Sequence, residues 1–539
     1  MPDCLSIVLL SNTEMAEADR LTIAGGTPGS LLMEKAGAAV AREAARLAPR
    51  YGRIAVFCGP GNNGGDGFVA ARLLAAQEFS IDLGLLGAPG QLRGDAAIAA
   101  AHFKGDARSI AEVDLEAADL AIDALFGAGL ARDLDGEAKA SVLRLNDWSR
   151  RTRKPILAVD VPSGIDGSSG QIRGAAIRAA RTITFFRRKP GHLLLPGRIH
   201  CGGTAVADIG IGESVLAVIA PKTFANGPAL WRKHFPLPRV DGHKYLRGHA
   251  LVASGGLVQT GAARLAARGA LRAGAGLVTI ATPSEALAAH AAALTAIMTR
   301  VCEGPDGLTE LLADYRKNVL VMGPGLGTGE KTRGLVRAAL GANDTPGARR
   351  AIVLDADALT SFAGDAGMLA RLIRLSGKTV VLTPHDGEFA RLFGDGGQHG
   401  ESPWAGVIPE AHIASLVTAL HSASKLDRAR AAAALSGATV VLKGPDTVAA
   451  HPGGLTSIAE DLPPWLATAG SGDVLAGITG GLLAQAMPPF EAATAAVWLH
   501  GAAARHFGPG LIAEDIPEQL PPVLRALFAD GALPADELE

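Results

Sequence analysis

An aspartate set among small residues, in Ala469-Gly470-Ser471-Gly472-Asp473-Val474-Leu475-Ala476-Gly477, is the stretch of this chain best equipped for chemistry. Small residues let the backbone turn sharply and let a bulky anion approach it closely. The apolar run that follows reads as the start of a helix, whose first N–H groups lack internal partners and form a natural phosphate seat. A carboxylate beside a phosphate repels it, so Asp473 suggests a further role, that of taking a proton from a hydroxyl about to be phosphorylated. The plainer alternative is a Ser471 N-cap with Asp473 favouring the helix dipole. Upstream, apolar runs end in Asp355-Ala356-Asp357, in His385-Asp386-Gly387-Glu388 and in Lys443-Gly444. His385, Asp386 and Glu388 lie on a Pro/Gly turn without the i,i+4 helical spacing of HExxH, which argues against a transition metal. Magnesium held mainly by phosphates and waters needs only one or two carboxylates. Lys443 could neutralise phosphate or be an ordinary strand-end lysine, and His385 could serve a purely structural hydrogen bond.

The first half of the chain carries a second set. Gly59-Pro60-Gly61-Asn62-Asn63-Gly64-Gly65-Asp66-Gly67 follows an apolar run, and Asp123, Asp160 and Ser163 close two others. Strand, glycine-rich turn and helix present backbone N–H groups to a phosphate, although this is neither GxGxxG nor a lysine-bearing Walker loop. Asn62 and Asn63 add carbonyl oxygens suited to a hard cation. Taken singly, each aspartate reads as an N-cap or loop acid; delivered to one sheet edge by several strands, they favour a site.

The elements that must position these residues alternate throughout. Strands are expected at Arg53–Cys58, Ile81–Leu86, Leu120–Leu125 and Ile156–Val161, and later at Ala250–Ala253, Val319–Met322, Ala351–Leu354, Val380–Thr383 and Thr439–Leu442, with small-residue helices between them. One helix is expected to run from Phe68 to Ala76. Alternation of this kind predicts α/β domains with mostly parallel sheets covered on both faces. A length of 539 residues exceeds one ordinary core. The proline- and base-rich stretch 216–243 is predicted to link two domains, 9–215 and 244–525. A net charge of −2 and 4% aromatics argue against a nucleic-acid partner. The four scattered cysteines form no CxxC, and the longest apolar stretches are broken by Gly, Pro and charge, so no structural zinc, disulfide framework, signal peptide or membrane span is expected and the predicted compartment is the cytoplasm.

In the first half, the motifs Asn62–Gly67, Asp123–Gly127, Asp160–Gly164 and Lys189-Pro190-Gly191 resemble the NAD(P)HX epimerase domain. That resemblance implies a Rossmann-like fold and interconversion of the R and S forms of hydrated NADH or NADPH at ring carbon 6. It implies potassium held by Asn63, Asp123 and Ser163. Substrate contacts would come from Asn62, Asn63, Gly64, Gly65 and Asp66, from Gly127, Ala128, Gly129, Leu130, Ala131, Arg132 and Asp133, and from Asp160, which would also handle the proton.

In the second half, Gly323-Pro324-Gly325-Leu326-Gly327, Asp355–Leu359, Thr383–Glu388, Lys443-Gly444 and Ala469–Gly477 resemble the ADP-dependent NAD(P)HX dehydratases, which have a ribokinase-like fold. Both halves in this order are similar to the bifunctional bacterial NAD(P)H-hydrate repair enzymes. The resemblance implies phosphorylation of the C6 hydroxyl of the S hydrate by ADP, with Mg2+, then loss of phosphate. Asp473 would be the base. Ala262, Gly325, His385 and Asp473 would contact the hydrate; Lys443, Gly444, Pro445, Asp446, Thr447 and Gly472 would contact the nucleotide. The expected partners are NADHX or NADPHX and ADP, in a homo-oligomer. Where the family more often shows an Asn and a Gly before its last motif, this chain has Ile458-Ala459-Glu460-Asp461. Two alternatives stay open on the residues: a vitamin-precursor kinase of the same ribokinase-like class, and a binding protein whose first domain has lost activity.

Overall fold

The computed structural model describes residues 7–344, 349–394 and 402–529. In chain order the strands are β1 (Val8–Leu9), β2 (Arg53–Cys58), β3 (Ser80–Leu85), β4 (Ala107–Ser109), β5 (Leu120–Ala124), β6 (Ile156–Val159), β7 (Arg181–Phe185), β8 (Gly203–Ala207), β9 (Thr223–Ala225), β10 (His249–Ala253), β11 (Leu277–Thr282), β12 (Met298–Val301), β13 (Val319–Met322), β14 (Ala351–Leu354), β15 (Thr379–Leu382), β16 (Thr439–Leu442), β17 (Val448–Ala450) and β18 (Thr456–Ile458). Helices alternate with them, and the chain divides into two compact units between Thr223 and Phe224.

The first unit is built on a 7-stranded sheet of order β4-β3-β2-β5-β6-β7-β8, with every neighbouring pair parallel. Its central strands are apolar along their length because helices bury both faces; in β2, Ile54 to Cys58 are all buried. Within this sheet the path starts at β2, moves outward through β3 and β4, then returns to β5. Strand order therefore reverses between β2 and β5, and the loops leaving those strands diverge into a crevice at their carboxyl ends. The helix after β2 starts at Asn62, not at the expected Phe68, and runs to Ala75. The glycine run is thus its first turns. Lacking a side chain, Gly64 lets the helix lie on the Gly59 carbonyl, where a Cβ would collide, and a Cβ at Gly65 would come within 2.6 Å of the Met33 sulfur.

In the second unit the sheet runs β18-β17-β16-β15-β14-β13-β10-β11-β12. Pairing is parallel from β12 to β16 and antiparallel through the β16-β17-β18 meander. Side chains of alternate residues point to opposite faces of a strand. Val252, Val278, Val319, Val321, Val353, Val381 and Val441 therefore enter one core with the helices Thr260–Arg272, Ser471–Ala484, Pro489–Phe507 and Asp515–Ala529. Here the order reverses between β10 and β13, which places a second crevice beside Ser254–Gly256 and Gly323–Gly327. The helix Ser471–Ala484 reaches the sheet because small residues line its contacts: a Cβ on Gly477 would collide with the Ala266 carbonyl, and one on Gly269 would lie 2.8 Å from the Val474 carbonyl oxygen.

Part of the stretch 216–243, expected to be a linker, is built into the second unit. Trp231 is fully buried and packs against Trp498 at 5.7 Å and Phe235 at 5.5 Å between ring centroids. The Asn226 N–H donates to Ile458 O at 2.8 Å. Proline and basic residues set the composition there, but the indole decides the placement. Among the described residues Cys58, Cys201 and Cys302 are free, and Cys4 lies outside them. No described helix is long and apolar enough to cross a membrane.

Candidate functional sites

A cavity of about 570 Å3 opens at the β2/β5 crevice of the first unit, lined among others by Asp19, Asn62, Asn63, Asp66, Gly127 to Leu130, Asp160 and Lys189. Asp160, just past β6, is its best-held polar group. Its Oδ1 accepts from Lys189 Nζ at 2.5 Å and from Thr184 Oγ1 at 3.0 Å, and its Oδ2 accepts from the Ala128 N–H at 2.9 Å. Burial alone would raise this carboxyl, but the charge and hydrogen bond of Lys189 and the Ala128 N–H outweigh it and hold Asp160 below the ordinary value. Asp66 has the opposite environment: burial first, then the charges of Asp160 and Asp19, push it well above the carboxylate range. Burial also raises Asp19 to about 6 against the opposing pull of Lys189. One cavity therefore holds a carboxyl kept low beside one pushed high, the divergence that acid–base chemistry uses.

Beneath it, fully buried Asp123 accepts from Ser163 Oγ at 2.5 Å and Ser163 N–H at 2.8 Å, and Ser163 Oγ accepts from the Phe126 N–H at 2.9 Å. Burial raises Asp123 to about 6, with the Ser163 bonds opposing. Asn63 Oδ1 and Asp160 Oδ2 both flank Gly127, each 2.9 Å from where its Cβ would stand. Of the expected substrate loop, Gly127 to Leu130 line the cavity; Ala131, Arg132 and Asp133 are exposed and not among its lining residues. Gly64 and Gly65 are buried in packing beneath the Asn62 and Asn63 that face the cavity. Thr184 and His192 do not stand out in the sequence. The signal is weak: His192 directly follows Lys189-Pro190-Gly191, and Thr184 sits inside a strand.

In the second unit the strand ends bring Asp355, Glu388 and Lys443 together at the head of the helix Ser471–Ala484. Lys443 Nζ lies 2.6 Å from Asp355 Oδ1 and 3.8 Å from Glu388 Oε2, and 3.4 Å from where a Cβ of Gly472 would be. Burial disfavours this ammonium, but Asp355, Glu388 and Asp473 together raise it above its ordinary value, so it stays charged. Asp473 is pushed up to about 6 by burial first and then by Asp355, with Lys443 opposing and Asp357 and Glu388 adding. The helix has Gly470, φ +86°, at its N-cap and no side-chain cap. Ser471 is not that cap: its hydroxyl donates to Leu466 O at 2.8 Å. Of the capping alternative, the Ser471 cap is therefore not met, while Asp473 does lie in the first turn of the helix.

His385 caps another helix, Asp386–Phe393. Its Nδ1 accepts from the Gly387 and Glu388 N–H groups at 2.9 and 3.3 Å, and the Glu388 carboxylate accepts from the His385 N–H at 2.9 Å, a complete capping box. The structural hydrogen bond that His385 could serve is present, and its Nε2 lies 3.4 Å from Glu388 Oε1. Gly325 stands over Ala262, whose Cβ lies 3.1 Å from where a Cβ of Gly325 would be, and Asp357 Oδ2 accepts from the Gly327 N–H at 2.8 Å, tying this glycine loop to the acids. In the loop after β16, Thr447 Oγ1 donates to Gly444 O at 2.7 Å, and Asp446 pairs with Lys425 at 2.7 Å. Lys425, buried and without a signal in the sequence, braces that loop by also donating to Lys443 O at 3.1 Å.

Comparison with known proteins follows the same division. Residues 29–191 match the family described as YjeF-related protein N-terminus, and residues 250–517 match the family described as NAD(P)H-hydrate dehydratase. The bifunctional NAD(P)H-hydrate repair enzyme Nnr of Moorella thermoacetica is 36% identical over 96% of this chain and 97% of its own. The enzyme of the same name from Salinibacter ruber is 34% identical over 97% of each. Among solved structures, an ADP/ATP-dependent NAD(P)H-hydrate dehydratase from Bacillus subtilis, co-crystallised with ATP/Mg2+, is 27% identical and matches 56% of this chain and 97% of its own with a TM-score of 0.43. With full-length relatives above 30% identity and both domain families in order, this chain belongs to the bifunctional NAD(P)H-hydrate repair enzyme family.

Proposed function

We propose that the protein repairs hydrated NADH and NADPH: the first unit interconverts the 6R and 6S hydrates, and the second dehydrates the 6S form with ADP, giving NAD(P)H, AMP and phosphate. The observation that carries the reading is the pairing, at the helix head Gly472, of a charged Lys443 with an Asp473 carboxyl raised to about 6. A hydroxyl is a poor leaving group and a phosphate a good one. Asp473 takes the proton of the C6 hydroxyl while its oxygen attacks the β-phosphoryl group of ADP. Lys443 and the helix N-terminus stabilise the charge that spreads over the transferring group. The ring nitrogen then expels phosphate with the C–O electron pair, and loss of the C5 proton restores the ring double bond. A carboxyl near 6 is ionised at neutral pH yet basic enough to accept a proton.

In this reading Lys443 to Thr447 and Gly472 hold the nucleotide, and Ala262, Gly325, His385 through Nε2, and Asp473 hold the hydrate. In the first unit, Asn62 to Asp66, Gly127 to Asp133 and Asp160 hold the hydrate, with Asp160 as proton acceptor. Potassium fits the donor chemistry of Asn63, Asp123 and Ser163, which all offer oxygens: Ser163 bonds Asp123 directly, and the hydrogen bonds to the Asp123 carboxylate come from neutral donors only. The ion would supply the missing positive charge. Magnesium would be held chiefly by the ADP phosphates, with Asp355 and Glu388 the available carboxylates, and would neutralise phosphate charge. The proposed setting is the cytoplasm and the proposed assembly a homo-oligomer.

The test supplies purified protein with mixed hydrates of NADH, Mg2+, K+ and ADP and follows near-ultraviolet absorbance. Full recovery is expected. Recovery stalling at the S fraction, beyond what spontaneous epimerisation supplies, would remove the epimerase half; no recovery with ADP or ATP would remove the whole reading.

A further inference from the structure

Asp160 adopts φ +66°, a left-handed backbone conformation that costs a non-glycine residue free energy and persists only where its surroundings fix it. Those surroundings can be named. The Asp160 N–H donates to Ile183 O at 2.7 Å, and the Asp160 carbonyl lies 2.9 Å from His192 Nε2. On the far side of the same imidazole, Nδ1 accepts from the Lys189 N–H at 2.9 Å. A backbone N–H can only donate, so Nδ1 carries the lone pair and the hydrogen sits on Nε2, donating to Asp160 O. The ring thus spans the backbones of two residues whose side chains meet as an ion pair, Lys189 Nζ to Asp160 Oδ1 at 2.5 Å.

We propose that His192 is a positioning residue for the first-unit reaction, a neutral two-ended strut that holds the peptide of Asp160 at the register where its carboxylate faces both Lys189 and the cavity. This rests on the epimerase reading above. His192 is 4% exposed and does not line the cavity, so it acts through Asp160 and not on substrate. Burial, then the charge of Lys189, lowers its imidazole to about 4, which keeps the strut in one protonation state across neutral pH; protonation would place a second hydrogen against the Lys189 N–H. The charged or titratable groups that face it are Lys189 and Arg188 on its own loop and Asp160 beyond β6. The carboxylate's other partners, Thr184 on β7 and the Ala128 N–H beyond β5, cannot replace it, because they grip the side chain and leave the peptide free to turn.

Two substitutions separate the ends of the strut. Gln reaches the position of Nε2 and can donate to Asp160 O; Asn reaches only the position of Nδ1 and can only accept from Lys189 N. With 6R hydrate and R/S interconversion as the readout, H192Q is expected to keep kcat within about 3-fold of wild type, while H192N loses about 10–100-fold in kcat with KM within about 3-fold, the scale of a misplaced reacting group. Comparable melting temperatures for both variants are expected. Full activity in H192N, or equal loss in H192N and H192Q, overturns the proposal. Nitrogen-15 NMR of wild-type His192, which needs no variant to fold, is expected to show a bare Nδ1 and protonated Nε2 from pH 5.5 to 8; the reverse tautomer or a charged ring overturns it equally. Wild-type protein that fails to interconvert the hydrates sinks the epimerase reading instead, so the two failures are distinguishable.

Discussion

Asp473 is the proposed base of the second unit, and its partly buried place near the charges of Asp355, Asp357 and Glu388 has consequences in two directions. Its carboxyl is raised to about 6, so ring restoration from pure S hydrate should climb as pH rises through about 6 and then level off. A plateau that begins near pH 4 would contradict the assignment. For stability the sign is opposite. A carboxyl whose folded value lies above its unfolded value favours the fold at low pH, and that contribution is lost as pH rises from about 4 to about 6. Asp473→Asn is therefore expected to raise the melting temperature of the second unit at pH 7.5 but not at pH 3.5; each 1 kcal/mol gained corresponds to roughly 2–4 °C for a domain of this size. His385 offers a different separation. Asn can cap a helix, whereas Ala cannot, and losing a cap costs about 0.5–2 kcal/mol. H385A should lower the melting temperature while H385N should not, and both should weaken hydrate binding if Nε2 is the contact. Asp123 makes a third case. Because burial leaves it near 6 with only neutral donors, K+ should stabilise the first unit more at pH 7.5 than at pH 5, measured as a melting-temperature difference against a large organic cation.

At the scale of elements, the site of the second unit depends on how closely the helix Ser471–Ala484 approaches the helix Thr260–Arg272. Gly477 permits the approach, and a methyl group there would collide with the Ala266 carbonyl. G477A is expected to cost about 1–3 kcal/mol, the usual scale of overpacking, and to reduce ring restoration while R/S interconversion persists. Unchanged thermal stability in G477A would mean that the two helices are not held at this distance. The strand ends are legible in the sequence because buried parallel strands leave uninterrupted apolar runs, and acids such as Asp355 and Asp160 stand out at their ends. The helix start at Asn62 is not legible, since glycine signals a turn by propensity; close packing on the Gly59 carbonyl overrides that signal. Trp231 is hidden in the same way, one buried indole in a stretch whose prolines and basic residues read as connection. His192 and Lys425 cannot be found from spacing, because their partners Asp160 and Asp446 are 32 and 21 positions away in the chain and only the folded sheet brings them together.

At the scale of the whole molecule, the same topological device occurs twice. Each unit reverses strand order beside its first long strand, and each collects carboxyl groups and a lysine in the crevice that results: Asp160 with Lys189 in the first, Asp355 with Lys443 in the second. The ion pair is similar and its use differs. In the first unit the lysine lowers the carboxylate proposed to accept the proton. In the second it pairs with Asp355, while Asp473 is raised to about 6. Two such sites in one chain suit a substrate that exists as two epimers of which only one can be dehydrated. The most direct measurement gives the Asp473→Asn protein pure 6R hydrate with K+, Mg2+ and ADP and follows both chiral composition and near-ultraviolet absorbance. The expected result is conversion to the R/S mixture at the wild-type rate with no return of absorbance. Return of absorbance, or no S hydrate beyond the spontaneous rate, would contradict two separate sites with Asp473 as the base of the second.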